Sequence, residues 1–236
     1  MGLIDDISSL PIKRRLLLQT LTTFLLLIFS GTSNTLFLSF NIFFVIGIMI
    51  FLIFCGVAMI NFINFADGID GLVGGCFVVY LATYSFLYEM SMWPFVGLLM
   101  VFLVFNWQPA KLFMGDAGST YLGAIMVCSI FKCESLNSAI SLILIGVPLL
   151  GDTCFCVLRR IKDKQKVFEP HRLHLFQRLI LSGMTHRKVS QIYILATALI
   201  SLSYIFGGLK IEIVFTFITL IIALILEKRF AIPFNN

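Results

Sequence analysis

Charged residues gather in a few short segments, and long apolar stretches run between them. No charged residue occurs from Leu16 to Ala66, and only Glu89 occurs from Gly71 to Ala110. Lys132 and Glu134 are the charges between Asp116 and Asp152, and Lys210 and Glu212 those between Lys188 and Glu227. A helix needs roughly 20 apolar residues to cross a bilayer core. Each stretch therefore holds two crossings and a short turn, and four hairpins return the chain to the side where it started. The ten-residue alternation of a transmembrane barrel is absent, so helices are predicted. Eight spans follow, at about 15–31, 36–60, 71–88, 92–108, 118–131, 136–158, 189–208 and 211–226. The predicted fold class is all-α, a polytopic integral membrane helical bundle, with residues 1–236 read as a single membrane-embedded domain.

Composition agrees with this pattern. The chain is 59% hydrophobic and 12% charged, with mean hydropathy +1.02. Soluble domains carry about 25% charged residues. A soluble globule of this composition would expose apolar patches far larger than monomers tolerate. Fifteen of the 17 Lys and Arg fall on the side that also carries the acidic motifs, and Lys132 and Lys210 fall on the other. The positive-inside rule then predicts that the motifs and both chain ends are cytoplasmic. The net charge of +5 needs no nucleic acid, because the basic segment 159–188 faces anionic membrane lipid. Five of the six cysteines sit in apolar spans, and Cys133 sits in a far-side turn. No zinc spacing or disulfide framework is present.

The acidic residues interrupt the apolar pattern at span ends. Asp5-Asp6 lies just ahead of Lys13, Arg14 and Arg15. Asn64-Phe-Ala-Asp67-Gly-Ile-Asp70-Gly places two carboxylates three apart, on one face if helical. Phe113-Met-Gly-Asp116-Ala-Gly-Ser119 sets a carboxylate between glycines at the start of a span, ten residues after Asn106. Helix capping is one reading of each motif. The other is a phosphate and metal site, because a helix start offers free N–H groups and a carboxylate holds Mg²⁺. Taken together the acids favour Mg²⁺ or Mn²⁺ over zinc, and phosphoryl chemistry at a membrane face. Asp152, near the inner end of an apolar span, is either functional or paired with Arg159. His171, Arg172, His174 and Arg178 form a cluster suited to phosphate oxygens, with metal ligation by the two histidines as the alternative. His186, beside Arg187 and Lys188, reads as a solvated span edge.

In this order, these motifs resemble the polyprenyl-phosphate N-acetylhexosamine-1-phosphate transferases, the glycosyltransferase family 4 enzymes that include the WecA, MraY and WbpL types. The run Glu169-Pro-His-Arg-Leu-His-Leu-Phe-Gln-Arg-Leu looks most like the WbpL type, and the triple histidine of the MraY type is absent. The resemblance implies transfer of an N-acetylamino-sugar-1-phosphate from a UDP-sugar to undecaprenyl phosphate. UMP is released, and the step starts an O-antigen or other surface glycan. It implies a multi-pass protein of the bacterial inner membrane with a cytoplasmic active site, Mg²⁺ (or Mn²⁺) as cofactor, and membrane lipids around it. Assembly as a homodimer is left open. By resemblance Asp116 is the metal ligand, and Asp5, Asp6 and Asp116 are the catalytic acids. Arg15, Asn64, Asp67, Asp70, Asn106, Phe113, His171, Arg172 and His174 are the substrate-binding residues. Direct attack and a covalent aspartyl intermediate both remain open.

The family carries roughly three spans ahead of the Asp-Asp motif, each about 20 residues long. Only Met1 to Ile4 precede that motif here, so the expectation is that this polypeptide alone is inactive. Two other readings are a non-catalytic truncated member and a membrane transporter. A transporter calls for acids near mid-span, and only Asp152 comes close.

Overall fold

The computed structural model describes residues 2–8, 10–32, 41–166 and 172–234. Among these the structure is all helical. The elements are α1 (Gly2–Ile7), α2 (Ile12–Phe29), α3 (Ile42–Ala66), α4 (Leu72–Leu87), a 3₁₀ turn (Met90–Met92), α5 (Trp93–Asn106), α6 (Gly115–Phe131), α7 (Leu136–Ile145), α8 (Val147–Lys162), α9 (Leu175–Leu181) and α10 (His186–Phe230). The fold is a membrane helical bundle, as the hydropathy pattern predicts. Phe43, Phe51 and Phe54 on α3, and Phe206 and Phe217 on α10, stay largely exposed. Exposed phenylalanines on helices of this hydropathy are lipid-facing.

Among the described residues a helix lies in each predicted span, but their lengths differ. α3 has 25 residues, about 37 Å at 1.5 Å per residue, enough to cross. α10 has 45 residues and is broken at Gly208, whose φ of 67° is outside the helical region. That break falls where the sequence separates spans 189–208 and 211–226. α7 and α8 together form a bent pair, with 74° between them. α4, α5 and α6, with 16, 14 and 17 residues, fall short of a 30 Å core. Among the described residues two helices are long and apolar enough to cross, or three with the bent pair, so the predicted eight crossings do not follow from these criteria.

The chain forms two compact units: Met1–Asn64 with Met114–Ile140, and Phe65–Phe113 with Ser141–Asn236. In the first, α1 lies directly against the start of α6. A Cβ on Gly2 would come within 2.3 Å of the Ala117 Cα, so only glycine permits this approach. In the second, α4 packs on α5 and α10, and Phe77, Tyr80, Leu81 and Ile200 are buried among them.

Candidate active site

The first unit brings together Asp5, Asp6, Arg15, Asn64, Asp116 and Ser119. The start of α2 explains why Arg15 is held there. Lys13, Arg14 and Arg15 occupy its first turn, where the helix dipole disfavours positive charge. Arg15 is compensated by acids: its Nε lies 3.1 Å from Asp5 Oδ2 and its NH1 3.9 Å from Asp116 Oδ2. Its NH2 donates to Asn64 Oδ1 at 3.3 Å. Asn64, near the C-terminal end of α3, donates through Nδ2 to Asp116 Oδ1 (2.8 Å) and to Ser119 Oγ (2.9 Å). One guanidinium and one amide thus tie both carboxylates together.

The same helix pair is locked one turn deeper. Gln19 and Asn61 exchange reciprocal amide hydrogen bonds at 3.2 and 2.7 Å, with Gln19 buried. Arg15 and Gln19 are four residues apart and share one face of α2. Polar pairs of this kind fix helix register in lipid. Sequence reading missed Gln19 and Asn61, although two amides inside apolar runs were a visible signal.

Asp5 and Asp6 do different things. Asp5 Oδ1 accepts from the Leu10 N–H at 2.6 Å, and its other oxygen faces Arg15. Burial pushes the Asp5 carboxyl up, but the Leu10 N–H, the neighbouring Asp116 side chain and the Arg15 charge outweigh it and hold Asp5 below the usual range. Burial raises Asp116, and the neighbouring Asp5 adds to this against the opposing Asn64 and Arg15. The Arg15 guanidinium thus lies between the two carboxyls, 3.1 Å from Asp5 and 3.9 Å from Asp116.

Asp6 instead accepts from the Asp116 N–H (2.8 Å) and the Ala117 N–H (3.0 Å), capping α6 from another helix. This corrects the expectation that the start of α6 offers those N–H groups to a phosphate. Gly115 has φ +64°, and a Cβ there would lie 2.9 Å from Asp6 Oδ2. Glycine is therefore required beside the cap.

In the second unit, Asp67 to Gly71 is a turn between α3 and α4, not a helix, so Asp67 and Asp70 do not share a helical face. Asp70 Oδ2 accepts from the Ala110 N–H at 3.2 Å, and its carbonyl accepts from Ser190 Oγ at 2.7 Å. His186 Nδ1 lies 3.4 Å from Asp70 N and 3.5 Å from Asp70 Oδ1, so His186 belongs to this turn rather than to a bare solvated edge. Asn106 is buried; it accepts from the Gly71 N–H (3.0 Å) and donates to the Leu112 carbonyl (2.8 Å). Its amide braces the backbone on both sides. Phe113 is 73% exposed at the end of the same loop.

Arg172 is exposed, and His171 lies outside the described residues. His174 is 3% exposed and stacks on Phe176 with ring centroids 5.3 Å apart. Burial, with the nearby Arg160 charge, lowers it to about 4. His174 is the N-cap of α9, where its side chain accepts from the Gln177 N–H. Arg178 is buried as well, and with Arg159 it binds Glu227. Asp152 accepts from Leu175 N, Phe176 N and Tyr193 OH, so the predicted pairing with Arg159 does not form. All six cysteines are free thiols.

The chain is similar to several known transferases. It is 32% identical over 145 residues to a probable undecaprenyl-phosphate N-acetylglucosaminyl 1-phosphate transferase of Bacillus subtilis, covering 56% of this chain and 40% of that protein. It is 30% identical over 168 residues to a phospho-N-acetylmuramoyl-pentapeptide-transferase of Staphylococcus epidermidis, covering 66% and 51%. To the undecaprenyl-phosphate alpha-N-acetylglucosaminyl 1-phosphate transferase of Yersinia pestis it is 26% identical over 167 residues, covering 64% and 46%. The chain spans about half the length of the curated relatives it matches. The family model for glycosyl transferase family 4 matches residues 1–134, which contain the whole Asp5, Arg15, Asn64 and Asp116 cluster. This chain belongs to glycosyl transferase family 4.

Proposed function

We propose that the protein transfers an N-acetylamino-sugar-1-phosphate from a UDP-sugar to undecaprenyl phosphate, releasing UMP, as the first step of an O-antigen or other surface glycan. The observation that carries this reading is the pair of facing carboxyls, Asp5 and Asp116, bridged by Arg15 and Asn64. The names of the relatives support the acceptor and the phosphosugar class.

In this reaction a phosphate oxygen of the lipid attacks the β-phosphorus of the donor. The bond to the α-phosphate oxygen breaks, and UMP leaves with the electron pair. Attack between two phosphates requires positive charge at the site. Arg15 supplies one charge and keeps Asp5 ionised, oriented towards the acceptor. Asp116, with Asp5 beside it, would hold Mg²⁺ or Mn²⁺. Two carboxyls set around one guanidinium are the oxygen donors such a cation takes, and Mg²⁺ binds through one or two carboxylates plus substrate phosphates. When bound, the metal neutralises phosphate charge. Asp6 fixes the start of α6, which carries Asp116, and does not react.

The test is product identity. Membranes carrying the protein, given UDP-N-acetylglucosamine or a 6-deoxy amino sugar analogue and undecaprenyl phosphate, should release UMP. Release of UDP in place of UMP would refute the reading.

We also propose that the site faces the cytoplasm of a bacterial inner membrane, on the strength of the Lys and Arg distribution. A Lys164→Cys variant should react with an impermeant maleimide only after the inner face is opened. Labelling in intact cells would reverse the orientation.

A further inference from the structure

Glu212, on α10, has no part in the proposed reaction, and it is completely buried. Neither of its carboxyl oxygens has a hydrogen-bond partner among the described residues. The polar group beside it is the Ser141 hydroxyl of α7, which is also fully buried and also without a hydrogen-bond partner. Three orphaned oxygens of two neighbouring side chains are therefore enclosed together. Thr216, one turn on from Glu212, is committed elsewhere: its hydroxyl donates to the Glu212 carbonyl at 2.8 Å. Ser141 and Glu212 both belong to the second compact unit.

A buried carboxylate needs a counter-charge, and the described residues supply none here. α4 and α7 carry no charged side chain. On α8, Asp152 is turned to α9 and Tyr193, Arg159 binds Glu227, and Arg160 donates to the Lys166 carbonyl. The Cys154 and Cys156 thiols are the other titratable groups along that helix. On α9, Arg178 holds Glu227. Lys210 is exposed, and residues two apart on a helix do not face each other.

The backbone near both side chains is interrupted. Gly208, with φ 67° and ψ −173°, breaks α10 one turn before Glu212, so carbonyls of the preceding turn lose their helical donors. Helical side chains tilt towards the N-terminus, which leans the Glu212 carboxyl towards that break. On the other side, Pro148 has no N–H to give the Leu144 carbonyl, three residues after Ser141. Acidic, hydroxyl and freed carbonyl oxygens beside helix breaks are the donors that hold Na⁺ or H⁺ in helical membrane proteins. One carboxylate balances one positive charge, whereas Ca²⁺ gathers six to eight oxygens, several of them anionic.

We infer that Glu212 and Ser141 form a site for one monovalent cation, a proton held between the two side chains or an alkali-metal ion in its place. The bound charge ties the second half of α10 to α7. This site is independent of the proposed reaction.

Thermal unfolding of the full chain in lipid nanodiscs, at constant ionic strength, tests the site without reading transfer. Glu212→Gln keeps the shape and needs no counter-charge. Glu212→Met, of similar size and without a polar group, is the second variant. In choline chloride, raising the pH from about 6 to about 9 strips the proton and leaves a bare buried carboxylate. Tm of the unaltered protein should then fall about 5 °C further than that of either variant, and other titrating groups cancel in the comparison. Sodium in place of choline at the higher pH tells the two cations apart. Recovery of the lost Tm in the unaltered protein alone assigns the site to an alkali-metal ion as well as the proton; a fall that sodium does not reverse assigns it to the proton. Both variants tracking the unaltered protein to within about 1 °C at every pH and in both salts would overturn the site.

Discussion

Asp116→Asn is expected to abolish transfer, lowering kcat by about a thousandfold or more while the fold survives. The amide keeps an oxygen for the Asn64 Nδ2 donor, now 2.8 Å from Asp116 Oδ1, so the local scaffold remains. What is lost is the charge. A carboxylate oxygen binds a divalent cation strongly, and the neutral amide that replaces it does not. Chelation with EDTA should match the variant, and added Mg²⁺ or Mn²⁺ should rescue the unaltered protein but not Asp116→Asn. Thermal unfolding of the two proteins should be close. Full activity of the variant at ordinary Mg²⁺ would remove Asp116 from the site.

Arg15→Lys is the second large effect, with an expected loss of about a hundredfold in kcat. The substitution keeps the charge and loses the fork. Arg15 uses three nitrogens on three partners: Nε on Asp5, NH2 on Asn64 and NH1 towards Asp116. A single ammonium at the end of a flexible stem does not reproduce that planar arrangement. Asn64 then loses the contact to its oxygen, and the two carboxyls lose their common counter-charge. The deeper Gln19–Asn61 pair is untouched, so α2 and α3 keep their register. Turnover of Arg15→Lys within twofold of the unaltered protein would show that only the charge matters.

The sequence made the class of fold and the sites of interruption legible. A charge or an Asp-Gly pair inside a long apolar run is conspicuous, which is how Asp67, Asp70 and Asp116 stand out. Lys210 and Glu212 mark the neighbourhood of the break in α10 at Gly208 for the same reason. The number of crossings was less legible. Hydropathy counts apolar residues, whereas α4, α5 and α6 are too short as helices to cross on length alone.

Several individual partnerships over long sequence separation were not legible. Arg159 has Asp152 seven residues away, yet it binds Glu227, 68 residues on. Asp6 looks equivalent to Asp5, but it caps a helix 110 residues later while Asp5 faces Arg15. His174 reads as a polar loop residue. Only the packing of Phe176 and Tyr193 around it makes it a neutral, buried ring. In each case the side chain type was visible and its partner was not, because the partner is set by tertiary packing.

The central claim is that the Asp5, Arg15, Asn64 and Asp116 cluster moves a phosphate together with its sugar. The most direct measurement uses a UDP-sugar labelled with ³²P in the β-phosphate alone, incubated with undecaprenyl phosphate and membranes carrying the protein. The account predicts that the label moves into the lipid extract, that unlabelled UMP accumulates, and that Asp116→Asn leaves the label with the nucleotide. Sugar appearing in the lipid while the label stays in UDP, or transfer that persists in Asp116→Asn, would contradict it.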